Sequence, residues 1–337
     1  MVLLELKNVS RHFEVRAGFL NKTLRGKKDS LIKAVESVSF TLAENEVLGI
    51  AGESGCGKST ICMMIAGLLK PTAGEILYDS QRIHEMSVED LRKYRSRVQM
   101  IFQDPYESLN PRFRVFETVA EGPRALKLWP ESEIADRVED MLRSVGLPPD
   151  KYMERYPHEL SGGERQRVGI ASALVMEPRM VVADEPLSML DVSIRAGILD
   201  LLRELAVKRN FSCIYVSHDL SILGHIADRL MIMYLGQAME IGPAKEVIGN
   251  PMHPYTRALI NAVPVPDPRV RRPIPEIRGD ISRPIDPPPG CRFASRCPHS
   301  DESCGKTFLT FEESTGQNHR ASCHRLDEIA AASAAKS

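Results

Sequence analysis

Gly52-Glu53-Ser54-Gly55-Cys56-Gly57-Lys58-Ser59-Thr60 is the stretch on which the fold turns. It follows a short apolar run, 46–51, of the kind that makes a buried strand. It opens a helical pattern over 59–69 that stops at Lys70-Pro71 and Gly74. Strand, glycine-rich loop and helix in this order match the P-loop spacing. The glycines let backbone N–H groups close around phosphate oxygens, and the helix N-terminus adds positive partial charge there. Lys58 can reach β- and γ-phosphates, and the Ser59 hydroxyl can ligate Mg²⁺. Cys56 reads as a small residue that fits the loop.

Further along, Met180-Val181-Val182-Ala183-Asp184-Glu185-Pro186 is an apolar strand ending in two carboxylates. Beside a P-loop, Asp184 can sit on the Mg²⁺ shell, and Glu185 can polarise the water that attacks a γ-phosphate. Leu160-Ser161-Gly162-Gly163-Glu164-Arg165-Gln166-Arg167 leads into a helical pattern over 164–175. That is a second helix N-terminus with exposed N–H groups, hence a second anion site. One nucleotide does not need two such sites from one chain, so this one is expected to face the nucleotide of another subunit. His218 follows the strand-like run 212–216 and can donate to a γ-phosphate. Gln103 ends the run 97–102, and its amide can ligate Mg²⁺ or the attacking water.

The 337 residues, 44 basic against 45 acidic, carry a net charge of −1, which argues against a dedicated nucleic-acid binder. With 43% hydrophobic and 26% charged residues the chain is an ordinary globular one. No apolar run is long enough to cross a bilayer, and the first residues lack a secretory signal. Alternating apolar positions over 2–15 and 34–42 predict antiparallel strands, joined by a basic insert, 16–33. That insert reads as a solvated loop or as a contact for anionic lipid. Short β-rich runs separated by helical patterns predict a mostly parallel sheet covered on both faces and split by a helical insertion, about 105–175. Runs over 228–234 and 237–241 read as a closing strand pair around Gly236. From 251 to 298 prolines accumulate, including Pro284 and Pro287-Pro288-Pro289, and an extended arm without helix interiors is expected.

Together these motifs resemble the nucleotide-binding subunit of an ATP-binding cassette (ABC) transporter, over about residues 1–245. The resemblance identifies 52–60 as the Walker A loop and Gln103 in Phe102-Gln103-Asp104-Pro105 as the Q-loop. It identifies 160–166 as the signature, with Ser161, Gly162, Gly163 and Glu164 facing the partner's ATP. Asp184 and Glu185 become Walker B and the catalytic base, 188–191 the D-loop, and His218 in Val216-Ser217-His218-Asp219 the switch histidine. Phe13 stands where the family places an adenine-stacking aromatic, usually Tyr. Met189 departs from the family's commoner Ala, while Asp191 is retained. The implied fold is α/β: a P-loop NTPase (RecA-like) core with an antiparallel β subdomain and a helical signature subdomain, plus a small Pro/Cys-rich C-terminal domain. The ATPase part spans 1–250 and the C-terminal region 251–337.

Asn250-Pro251-Met252-His253-Pro254-Tyr255-Thr256-Arg257-Ala258-Leu259, Ala262-Val263-Pro264, Gly290-Cys291-Arg292-Phe293 and Arg296-Cys297-Pro298 are similar to the tail of oligopeptide and dipeptide importer ATPases. That subfamily also serves nickel and some oligosaccharides, and a non-transport ABC ATPase is the further alternative. The basic insert and the Gly-Cys-Gly-Lys-Ser-Thr form of the loop look more like the second ATPase of such systems, which implies a heterodimer partner. The resemblance further implies ATP and Mg²⁺ as cofactors, two transmembrane permease subunits, an extracytoplasmic solute-binding protein, no nucleic acid, and a peripheral position on the cytoplasmic face of the inner membrane. Finally, Cys291, Cys297, Cys304 and Cys323 are spaced C-x5-C-x6-C-x18-C, which implies a metal module over about 285–325. Four thiolates suit a [4Fe–4S] cluster, to which the family tail has been linked. Zn²⁺, with His319 and His324 available, and unmetallated thiols stay open.

Overall fold

In a computed structural model, which describes residues 1–15, 30–104, 109–263, 277, 285–311 and 318–329, the chain is built on two sheets. Most of the basic insert, and also Pro105, Pro264 and Pro284, lie outside the described residues. The smaller sheet is antiparallel, in the order β2-β1-β4-β5, from β1 (Val2–Val15), β2 (Ser30–Ala43), β4 (Ala73–Tyr78) and β5 (Gln81–Arg82). Leu4, Leu6, Phe40 and Leu42 point to its buried face, as period-two alternation requires. The alternation slips twice, at Asn8 and Ser37, each with φ 48°. The β1–β2 register shifts there, so that Val35 and Val38 both face inward.

The larger sheet has seven strands in the order β11-β10-β9-β3-β8-β7-β6. Parallel strands β3 (Val47–Ala51), β6 (Val98–Ile101), β7 (Met180–Asp184), β8 (Ser212–Ser217) and β9 (Arg229–Tyr234) form its body. The closing pair expected around Gly236 is β9 with β10 (Gln237–Pro243), antiparallel, and β11 (Arg320–Ala321) adds beyond it. Ile50, Val182, Ile214 and Met231 pack towards the antiparallel sheet and helix α1 (Lys58–Ile65). Their neighbours Ala51, Val181, Tyr215 and Ile232 pack towards the helices of the other face. The sheet is therefore buried on both sides. Helix α1 ends four residues before the expected Leu69. Gly67 turns out at φ 69°, and the amides of Leu68 and Leu69 both bond back to Met63 O.

Helix α2 (Val88–Arg97) leads into β6, and the helical insertion follows as α3 (Val115–Leu126), α4 (Glu131–Ser144) and α5 (Gly162–Leu174). On α4 Ile134, Val138, Met141 and Leu142 make one apolar stripe that joins Val119, Ile170 and Leu174 in the core. Arg124 ties Glu117 to Glu131 on its rim. Helices α6 (Val192–Arg209) and α7 (Leu220–Ile226) complete the crossovers between β7, β8 and β9. Among the described residues no helix is long and apolar enough to cross a membrane.

Beyond β10 come α8 (Ala244–Gly249) and α9 (Pro254–Ala262). Helix α9 corrects the expectation of an extended arm without helix interiors. Pro254 sits at the first helical position, where its missing N–H costs nothing, and the His253 ring accepts from Tyr255 N at 3.1 Å as the cap. Several described residues of the remaining tail meet the sheets. Ile285 bridges Ile32, Asp286 exchanges hydrogen bonds with Leu31, and Phe293 and Phe311 enter the two cores. Glu240, fully buried on β10, accepts from Met252 N (2.9 Å) and His253 N (2.8 Å) and meets His319 Nε2 at 2.7 Å. One carboxyl thus ties two segments of the C-terminal region, at 252–253 and at 319, to β10.

Candidate nucleotide site

The parallel strands β3, β6, β7 and β8 end on one edge of the sheet, where open α/β sheets hold ligands. β3 releases the loop 52–57, β6 leads to Gln103, β7 ends at Asp184 and β8 at Ser217. An open cleft of about 510 Å³ gathers Ser54, Lys58, Ser59, Gln103, Glu185 and His218. Ser188 of the following turn joins them, as do Ile32 and Ala34 of β2. Those last two were not read from the sequence. Their i, i+2 spacing on a strand put them on one face, but only the pairing of β2 shows which face it is.

Within the loop, Gly55 and Gly57 hold φ of 75° and 103°, and a methyl on Gly57 would sit 2.2 Å from Ala34 O. Lys58 is nearly buried and donates to Gly52 O (2.8 Å) and Glu53 O (3.1 Å), with Glu185 Oε1 at 3.7 Å. The Cys56 thiol is pushed up by burial, so it stays neutral and packs as the sequence suggested. Asp184 accepts from the Ser59 hydroxyl, and burial holds its carboxyl above the usual range. Its Oδ1 is buried with no hydrogen-bond partner. A buried acceptor without a donor, beside a serine hydroxyl at the head of a helix, is an oxygen set suited to Mg²⁺.

Glu185 has φ 44°, unusual for a residue with a side chain, and its N–H is held by Val216 O at 3.0 Å. That turn aims the carboxylate into the cleft, where Oε2 lies 3.0 Å from His218 Nδ1. The sequence separates these two by a helix and a strand, and the sheet brings them together. Phe13 lies opposite Ile32 in the β1–β2 register, but Arg11 covers its ring at 4.6 Å and the ring does not line the cleft.

The signature residues do not line it either. Ser161 caps α5 and exchanges hydrogen bonds with Glu164. The Tyr152 hydroxyl donates to Glu164 at 2.6 Å, and with Ser161 it holds that carboxyl below its usual range. Gly163 packs so closely on α6 that a methyl there would be 2.9 Å from Ile194 Cγ2. The N-cap and the glycine are thus local necessities, and they leave exposed Ser161 at a helix N-terminus that does not line its own cleft.

Cys291, Cys297, Cys304 and Cys323 line one pocket. Burial pushes the Cys291 and Cys323 thiols up to about 12 and about 11. Among the described residues no group of three or more His, Cys, Asp or Glu side chains is arranged to hold a metal ion. Of the histidines considered for zinc, His319 is engaged with Glu240, and His324 lines the same pocket with its Nε2 on Thr307 O.

Residues 35–188 match the ABC transporter family model, and residues 239–304 match that of the oligopeptide/dipeptide transporter C-terminal region. The chain is 44% identical over 331 residues to the oligopeptide transport ATP-binding protein OppF of Escherichia coli, covering 97% of each chain. It is 43% identical to AppF of Bacillus subtilis, covering 96% of this chain and 97% of that one. Among solved structures, a dimeric post-hydrolysis ATP-binding cassette, MJ0796, bound to ADP and Pi, matches at TM-score 0.62 and 27% identity. That match covers 72% of this chain and 99% of the other. The cbiO1 subunit of Clostridium perfringens matches at 0.61 and 29%, covering 74% and 91%.

Proposed function

Since the chain belongs to the ABC-transporter ATP-binding subunits of the oligopeptide/dipeptide importer family, we propose that it hydrolyses ATP to drive uptake of di- or oligopeptides through separate membrane subunits. The observation that carries the reading is the cleft itself, which gathers Lys58, Ser59, Gln103, Glu185 and His218 with Asp184 behind them. In it the loop amides and Lys58 bind the phosphates, Lys58 exchanging the carbonyls of Gly52 and Glu53 for phosphate oxygens. Ser59, Asp184 and Gln103 would hold Mg²⁺, which when bound offsets the charge of the phosphates. Glu185 accepts the proton of the attacking water, and His218, 3.0 Å from it, holds the carboxylate on one side and faces the γ-phosphate position on the other. Lys58→Ala is expected to lower MgATP affinity by at least about tenfold in equilibrium binding. Unchanged binding would refute the site.

The exposed Ser161 terminus supports a second cassette as partner, each signature completing the other's site. The Gly-Cys-Gly-Lys-Ser-Thr form of the loop supports a heterodimer, and the family supports its mounting on two permease subunits at the cytoplasmic face of the inner membrane, served by an extracytoplasmic solute-binding protein. Ser161→Arg in one subunit is expected to suppress hydrolysis at the partner's nucleotide while MgATP binding to its own P-loop stays within about twofold. Lost binding in the isolated variant would place the signature in cis.

For the tail, the donor chemistry of Cys291, Cys297, Cys304 and Cys323 and the pocket they share support a four-thiolate iron–sulfur centre. Bound there, such a centre would cross-link the segment 291–323 as a staple. Anaerobic purification should yield brown protein with about four iron and four sulfide per chain. Colourless protein with about one zinc, or with neither metal, would overturn it.

A further inference from the structure

Arg296, of the Arg296-Cys297-Pro298 motif, has no part in the chemistry described so far, yet it reaches the P-loop. Arg296 Nη1 lies 3.3 Å from each carboxylate oxygen of Glu53, the second residue of the loop, and donates to the Tyr234 hydroxyl at 3.2 Å. The Tyr255 hydroxyl accepts from Glu53 N at 3.2 Å. Both side chains are anchored in an aromatic group, with Tyr234–Tyr255, Tyr255–Phe293 and Tyr234–Phe293 centroids at 4.7, 5.2 and 5.4 Å. Arg296 is only 8% exposed, and Tyr255 is fully buried. Glu53 O in turn holds Lys58 Nζ.

Glu53 is an acid placed where a polyanion must bind. Left unpaired beside a half-buried loop, its carboxylate would repel the phosphates at short range, in surroundings less screening than bulk water. Arg296 neutralises it and draws it to the tail side, away from the cleft, where Glu53 is not among the lining residues. Tyr255 fixes the same residue through its backbone.

We propose that Arg296 is a positioning residue for nucleotide binding. It holds the Glu53 carboxylate away from the phosphates, so the C-terminal region sets how tightly the P-loop binds nucleotide. The proposal rests on the nucleotide site described above. Arg296 does not touch the nucleotide. It acts through Glu53, and the effect belongs to ground-state binding rather than to the chemical step.

The test uses the full chain and MgADP as the probe in calorimetric titrations, with steady-state ATPase alongside. Arg296→Gln is expected to weaken MgADP binding about tenfold and raise KM for ATP to match, with kcat within about twofold. Glu53→Gln alone should bind at least as well as wild type. The double variant Glu53→Gln/Arg296→Gln should recover to within about threefold of wild type, because the charge that Arg296 offsets is gone. A merely structural Arg296 would show no such rescue, because a lost packing group is not restored by a second substitution. Arg296→Gln binding like wild type, or a double variant no better than Arg296→Gln while still melting cooperatively, overturns the proposal. If wild type fails to bind MgADP, or Lys58→Ala binds it unchanged, the nucleotide site itself is at fault.

Discussion

Glu185→Gln is expected to leave MgATP bound and to cut turnover by about 10²- to 10⁴-fold. The amide keeps the shape of the side chain, and the Glu185 N–H to Val216 O bond that supports its φ of 44° is untouched. What is lost is the ability to take a proton from water. Lys58 also loses the carboxylate 3.7 Å away that competes with phosphate for its charge, so MgATP affinity should hold or rise. With a partner cassette present, the variant should therefore accumulate as an ATP-bound pair, because the γ-phosphate that both cassettes contact is not removed. Phosphate release and size-exclusion chromatography in MgATP would check both halves. Turnover within about twofold of wild type would remove Glu185 from the base role.

The second large effect concerns Glu240. Glu240→Ala should lower folding stability by about 3 kcal/mol, through two backbone amides and an imidazole left without an acceptor in a site closed to water. It should also loosen the tail selectively, since Met252, His253 and His319 are the groups released. Limited proteolysis should cut beyond residue 250 first, with MgATP still bound but more weakly, since Tyr255 and Arg296 belong to the loosened region. Glu240→Gln, which keeps an acceptor, should fall between the two. A melting temperature unchanged in Glu240→Ala would show that the gathering of these segments contributes little.

What the sequence told in advance follows the reach of each signal. The loop 52–60, the strand before it and the carboxylates at 184 and 185 are local patterns whose backbone geometry is set by glycines and by period, so they were legible. So was the place of Gln103 and His218 at strand ends. Tyr255 and Arg296 were not, because their target is Glu53, 202 and 243 residues away, and no periodicity encodes a pairing of that length. Glu240 lies within the strand run 237–241, which does not mark it out, and its partners come from 252–253 and 319. Ser161 was legible as part of a helix N-terminus set to face another subunit; the structure makes it the cap of that helix and leaves the exposed terminus available for such a contact.

One consequence lies in the order in which the chain is made. β11 pairs Ala321 and Arg320 with Glu240 and Ile241, and Ser322 N closes on Met239 O at 2.8 Å. Until those residues leave the ribosome, this flank of the larger sheet offers the unpaired backbone of β10 to any extended strand nearby. The partner that finally occupies it is local in space and remote in time. A nascent or clipped chain stopping before residue 320 is therefore the form most exposed to edge-to-edge association, although its P-loop and Walker B strands are already complete.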